Sequence, residues 1–109
     1  MKSPLSQAAA ELIARRFRAL SDPTRLRIVD LLRSREEASV GELSEALGGS
    51  QQNVSKHLSA LLAEGFVARR KQGTSSIYRI ADPDIHDICE GVCAGIESRL
   101  DELEAVLGG

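Results

Sequence analysis

Tryptophan is absent from the chain, and Phe17, Phe66 and Tyr78 are its only aromatic residues. In so aromatic-poor a sequence the lone tyrosine is expected to anchor the element that carries it onto the core. No apolar run approaches the roughly 18 residues of a membrane span, and Met1-Lys2-Ser3-Pro4 lacks the apolar core of a signal peptide. A cytoplasmic protein with no membrane partner is expected. Cysteine is scarce as well: Cys89 and Cys93 lie close together near the C-terminus, which excludes the disulfide framework of a secreted scaffold. No nucleophile stands at recognisable spacing from a base, and Gly48-Gly49 lacks the Lys-Ser/Thr of a phosphate-binding loop. Catalysis is therefore not expected. At 109 residues there is room for one domain, 1–109, with a modest core and one function.

The net charge of −2 conceals an asymmetry. Residues 1–81 hold 13 of the 14 Lys and Arg and 8 of the 16 Asp and Glu, a net of +5, whereas residues 82–109 are net −7. A basic body with an acidic appendix suits an anionic partner at one face and a different task at the other.

The stretch from Ser50 to Gly65 organises the rest. Val54, Leu58, Leu61 and Leu62 fall on one stripe of a helix, while Gln51, Gln52, Asn53, Ser55, Lys56 and Ser59 fall elsewhere on the wheel. Solvated helix faces are usually filled with Glu and Lys. A face of amides and hydroxyls can instead hydrogen-bond base edges and phosphates without repulsive charge. Upstream, Ser39-Val40-Gly41-Glu42 fits a capping box that opens a short helix to about Leu47, and Gly48-Gly49 supplies the break before Ser50 caps the next helix. Residues 39–64 thus read as a helix-turn-helix. Downstream the period changes to that of two strands, residues 66–71 and 76–80, around Gln72-Gly73-Thr74-Ser75. This hairpin, 66–80, reads as a basic wing whose Arg69, Arg70, Lys71 and Thr74 would meet the DNA backbone or minor groove.

Apolar positions at Ala9, Leu12, Ile13, Phe17 and Leu20 give a first amphipathic helix over residues 6–20, with Arg15, Arg16 and Arg18 expected in solvent rather than on DNA phosphates, the other reading of them. Asp22-Pro23 starts a second helix to about Ser34, its buried face formed by Leu26, Ile28, Val29, Leu31 and Leu32. Asp82-Pro83 repeats that start signal for a last helix reaching nearly to Gly108. There Ile85, Cys89, Val92, Ile96, Leu100, Leu103 and Leu107 recur at close to the 3.5-residue spacing of a pairing seam. A second subunit is the economical partner for it, with Ile85, Cys89, Val92, Ile96, Leu100 and Leu103 expected at a dimer interface. The fold class is therefore mainly α with a small β-hairpin: a winged helix-turn-helix of five helices, dimerising through its last helix.

With these residues in hand the chain resembles the ArsR/SmtB family of winged-helix transcriptional repressors. The matching stretches are Ala19-Leu20-Ser21-Asp22-Pro23-Thr24-Arg25-Leu26-Arg27-Ile28, Val54-Ser55-Lys56-His57-Leu58 with Leu61 and Leu62, Glu64-Gly65-Phe66-Val67, and the hairpin around Gly73 and Tyr78. The resemblance covers roughly residues 15–80. It implies a homodimer whose interface is made by the helices at both chain ends, residues 1–20 with Leu12 and residues 82–109, and which binds a pseudo-palindromic operator and lets go when an inducer arrives. Members that sense soft metals often carry Cys-Val-Cys where this chain has Ser39-Val40-Gly41, and a subgroup uses cysteines where this chain has Ala60 and Glu64. Neither site is present. The zinc-type pattern is half matched by Asp84-Ile85-His86, but its second half would fall near Glu97 and Leu100, and Leu100 cannot ligate.

His86, Cys89 and Cys93 stand instead at i, i+3 and i+7 on one side of the last helix, with Glu90 nearby. No motif demands a cofactor; this set would suit Zn, Cd or As(III), and two thiols could also report oxidants or reactive sulfur. Both cysteines could equally serve as small hydrophobes on the seam. His57 has two readings, a DNA contact or an intramolecular hydrogen bond. Two further readings of the whole chain stay open: a repressor without an inducer, and a winged-helix module that binds protein.

Overall fold

A computed structural model describes residues 4–108, with the side chains of Cys89 and Cys93 and residues 1–3 and 109 outside that description. Among the described residues the chain forms five helices and three strands: α1 (Gln7–Leu20), α2 (Pro23–Arg35), β1 (Glu37–Ser39), α3 (Val40–Leu47), α4 (Gln51–Ala63), β2 (Val67–Gln72), β3 (Ser75–Ile80) and α5 (Ile85–Leu107). The cap signals in the sequence mark most helix starts. Ser6, Asp22, Ser39 and Ser50 each accept a bond from the backbone N–H three residues on, and Ser39 with Glu42 completes the reciprocal box.

The core lies where α2, α3 and α4 meet the sheet. Ile28, Val29 and Leu32 come from α2, Leu43 from α3, and Val54, Leu58 and Leu61 from α4, all at 0 or 1% exposure. Each such aliphatic side chain contributes about 2 kcal/mol on burial. Tyr78 is 5% exposed and does anchor the hairpin, opposite Ala38 on one side and Arg69 on the other.

Four expectations need correction. The sheet has a third strand: β1 pairs antiparallel with β3, in the order β1-β3-β2. Three residues are too few to show a period, and it is the burial of Ala38 that pins them down. Asp82 does not cap the last helix. Arg16 engages its carboxylate while its other oxygen accepts from the Asp84 N–H at 3.0 Å, so α5 begins only at Ile85, with no side-chain cap. Ile85 is fully buried in its own chain's core and cannot belong to an interface. Leu26, expected in the core, is 46% exposed, because α2 turns its Ile28, Val29 and Leu32 stripe toward the sheet. No helix among the described residues is long and apolar enough to cross a membrane.

Candidate nucleic-acid interface

The turn between α3 and α4 sets the presentation of α4. Gly48 adopts φ +76°, a left-handed conformation that costs glycine little, and the N–H groups of Gly48 and Gly49 both reach the Ser44 carbonyl, at 2.9 and 3.2 Å. Ser50 then caps α4 through the Asn53 N–H at 3.1 Å. With Val54, Leu58 and Leu61 buried, the opposite side of the first two turns must face out. Gln51, Gln52, Asn53 and Lys56 are exposed and Ser55 is half-buried. A polar hollow lined by Ser39, Gly41, Gln51, Ser55, Thr74 and Ser75 joins the first turns of α3 and α4 to the wing turn. Three of the sequence-derived contacts, Gln51, Ser55 and Thr74, are thereby brought together.

His57 is withdrawn from this surface. Its side chain is only 14% exposed, its Nδ1 accepts from Arg25 Nε at 3.1 Å, and Asp22 Oδ2 lies 3.7 Å away. A guanidinium can only donate, so Nδ1 is the accepting atom of this contact. Arg25 also donates to the Ala19 carbonyl at 3.3 Å. The Arg25 amide, donating to Asp22 at 3.1 Å, holds the Asp22 carboxyl below its ordinary value, with burial opposing it. The intramolecular reading of His57 accounts for its Nδ1 side, and it ties α4 to the start of α2.

The basic run of the wing divides. Arg69 stands opposite the buried Tyr78 and Lys71 opposite Ser76, so these two share one face of the hairpin, while Arg70, opposite Ile77, takes the other. Arg70 is also committed: Nη2 donates to Glu37 Oε1 and Nη1 to Gln72 Oε1, each at 2.8 Å. That leaves Arg69, Lys71 and Thr74, all exposed, as the wing's candidate contacts.

Away from this face, α1, α2 and α5 form an apolar groove from Phe17, Leu20, Leu26, Ile88, Val92 and Ile96. Beyond it Leu100, Leu103, Val106 and Leu107 continue exposed along α5, and Leu12 is exposed on α1. Phe17, Leu26 and Ile88 were not among the interface residues read from the sequence; periodicity names a helix stripe but not which neighbour leaves it open. Near the start of α5, exposed His86 accepts from Arg33 Nε at 3.4 Å through Nδ1, and Arg33 reaches Glu90 at 3.3 Å. The proposed partners of His86, the thiols of Cys89 and Cys93, lie outside the described residues, and among the described residues no three His, Cys, Asp or Glu side chains gather as a metal site.

Arg15 keeps an exposed side chain and Arg16 a partly exposed one, as expected, but both also hold partners. Arg15 pairs with the Glu64 carboxylate at 2.8 Å, and Arg16 donates to the Glu64 carbonyl and to Asp82. No helical period announces such contacts, because the partners lie 49 residues away for Arg15 and 48 and 66 for Arg16.

A family model described as a helix-turn-helix domain matches residues 20–70. The chain is 41% identical over 98 residues to a probable mercury resistance operon repressor of Streptomyces lividans, covering 81% of this chain and 78% of that one. The homodimeric winged helix-turn-helix DNA-binding domain of Mb0332 from Mycobacterium bovis, described as a possible ArsR-family regulator, superposes with a TM-score of 0.77 at 31% identity, over 93% of this chain and 95% of that one. The antimony-specific transcriptional repressor AntR superposes with a TM-score of 0.79 at 28% identity, over 91% and 90%.

Proposed function

Because the chain belongs to the ArsR/SmtB family of winged helix-turn-helix transcriptional regulators, we propose that it acts as a homodimer that represses transcription by seating α4 in successive major grooves of a pseudo-palindromic operator. The observation that carries this reading is the division of α4: Val54, Leu58 and Leu61 are buried, and Gln51, Gln52, Asn53 and Lys56 face out. Amides at these positions can read base edges, and Lys56 can neutralise a phosphate. Arg69, Lys71 and Thr74 extend the contact to the flanking backbone. The exposed stripe of α5, with Phe17 and Leu12 of α1, supports dimerisation, and the relative from Mycobacterium bovis is homodimeric.

In this reading the inducing signal enters on α5 at His86, Cys89 and Cys93. Two thiolates and an imidazole form a soft donor set suited to zinc, cadmium or arsenite, and the thiols alone would suit an oxidant. Arg33 meets Nδ1 of His86, and among the described residues Nε2 has no hydrogen-bond partner. Two relatives are named for mercury and antimony, ions of the same soft class.

The test is a gel-shift titration against a duplex that the wild-type protein selects from a random library. Lys56→Ala is expected to weaken binding and to lower the salt slope by about one phosphate equivalent. Cys89→Ser/Cys93→Ser is expected to bind like wild type yet remain bound when cadmium, arsenite or oxidant releases the wild type. An unchanged affinity and slope for Lys56→Ala would remove α4 from the argument, and a double mutant released like wild type would remove the thiols.

A further inference from the structure

We propose that Arg16 is a positioning residue for operator binding: from α1 it locks the C-terminal end of the reading helix α4 and the entry to α5 into one register. This rests on the DNA-binding reading above. The Arg16 guanidinium closes three contacts at once. Nη1 donates to the Glu64 carbonyl at 3.0 Å, Nη2 donates to the Asp82 carboxylate, and the group lies 4.4 Å from the centroid of the Phe66 ring. Each partner is itself fixed. Glu64 ends α4, where the Phe66 N–H returns to the Leu61 carbonyl at 3.0 Å. Phe66 is 2% exposed, and its carbonyl accepts from the Ala81 N–H at 2.9 Å, one residue before Asp82. Planar forks that donate in two directions and stack on a ring hold geometry in a way a lysine cannot.

What Arg16 joins is otherwise loosely joined. The buried residues of α1 are Ala19 and Leu20, in its last turn; one turn earlier half-buried Ile13 lies near Phe66, and Arg15 and Arg16 add polar ties to Glu64 and Asp82. Among the described residues, α5 is fastened to the body through buried Ile85, through Arg33 to His86 and Glu90, and at its entry through Asp82. A dimer built on α1 and α5 holds its two reading helices apart at a set distance only if each α4 is fixed to that scaffold. Arg16 supplies the fixing point on the C-terminal side of α4, as the Arg25–His57 bond does nearer its middle. A shift of α5 on signal binding would be passed to α4 through the same guanidinium.

The experiment uses the full chain and the selected duplex, with versions carrying one base pair more or fewer at the centre. Arg16→Met keeps the apolar stem and removes the fork. It is expected to bind the selected duplex about tenfold more weakly, with an unchanged salt slope and a smaller penalty for altered spacing. Arg16→Lys should recover part of the affinity, and Asp82→Asn should reproduce the relaxed spacing without touching α1. A shallower salt slope in Arg16→Met would make Arg16 a phosphate contact and overturn the proposal, as would a spacing penalty equal to wild type. Should Arg16→Met fail to fold, Asp82→Asn decides by the same spacing criterion. A wild-type protein that selects no duplex would instead overturn the DNA-binding reading, and this one with it.

Discussion

Glu42 stands three residues into α3 with its carboxylate accepting from the Ser39 N–H at 2.9 Å, while Ser39 Oγ accepts from the Glu42 N–H at 3.1 Å. The bond from the Ser39 amide is the main reason the Glu42 carboxyl sits below its ordinary value, as the Arg25 amide is for Asp22. A carboxyl whose folded value is depressed adds stability that is fully present above the unfolded value and is lost as pH falls through the folded one. Both groups start helices that feed the core, α3 and α2. Urea midpoints measured from about pH 6 down to about pH 3, across the ordinary carboxylate range, should therefore fall for the wild type. They should fall less steeply for Glu42→Gln/Asp22→Asn, which starts lower and has less to lose. Parallel curves for the two proteins would show that these caps carry none of the acid sensitivity.

At the scale of elements, the wing separates what residue type promised from what strand geometry allows. Arg69, Arg70 and Lys71 are consecutive in sequence, and consecutive strand residues face opposite ways, so they cannot act as one patch. Arg70 holds Glu37 on β1 and contributes to the three-stranded sheet; Arg69 and Lys71 share the other face. Lys71→Ala and Arg69→Ala are expected to weaken binding of the selected duplex and each to lower the salt slope by about one. Arg70→Ala should leave the slope alone and lower thermal stability by a fraction of a kcal/mol, as exposed pairs do. Equal slope changes for all three would return Arg70 to the DNA face. The same contrast marks the limits of the sequence. Helices with caps and a periodic stripe were legible because both signals are local: Ser50 with Asn53, or Val54 with Leu58 and Leu61. β1 was not, being three residues held by a strand nearly forty residues on. The face of α4 could be read from its wheel, whereas the engagement of His57 by Arg25, and of Arg16 by Glu64 and Asp82, depends on how separate elements dock.

For the whole molecule the decisive feature is the apolar surface that one chain cannot cover. Val92, Ile96, Leu100 and Leu103 are each more than half exposed along α5, and Phe17 on α1 is 60% exposed. Soluble chains rarely leave a contiguous stripe of this kind open, and a two-fold copy of the same helices would bury it. These side chains add nothing to the core, so changing them should spare the fold. Ile96→Glu/Leu100→Glu is therefore expected to keep the helical circular dichroism of the wild type while sedimenting as a monomer. A monomer presents one α4 instead of two and forfeits the gain from linking two half-sites, so affinity for the full selected duplex should drop roughly a hundredfold or more. A half-site duplex should be bound by the variant as weakly as by one protomer of wild type, showing that α4 itself is intact. If the variant still sediments as a dimer, the subunits meet through some other surface, and the exposed stripe of α5 would need a different occupant.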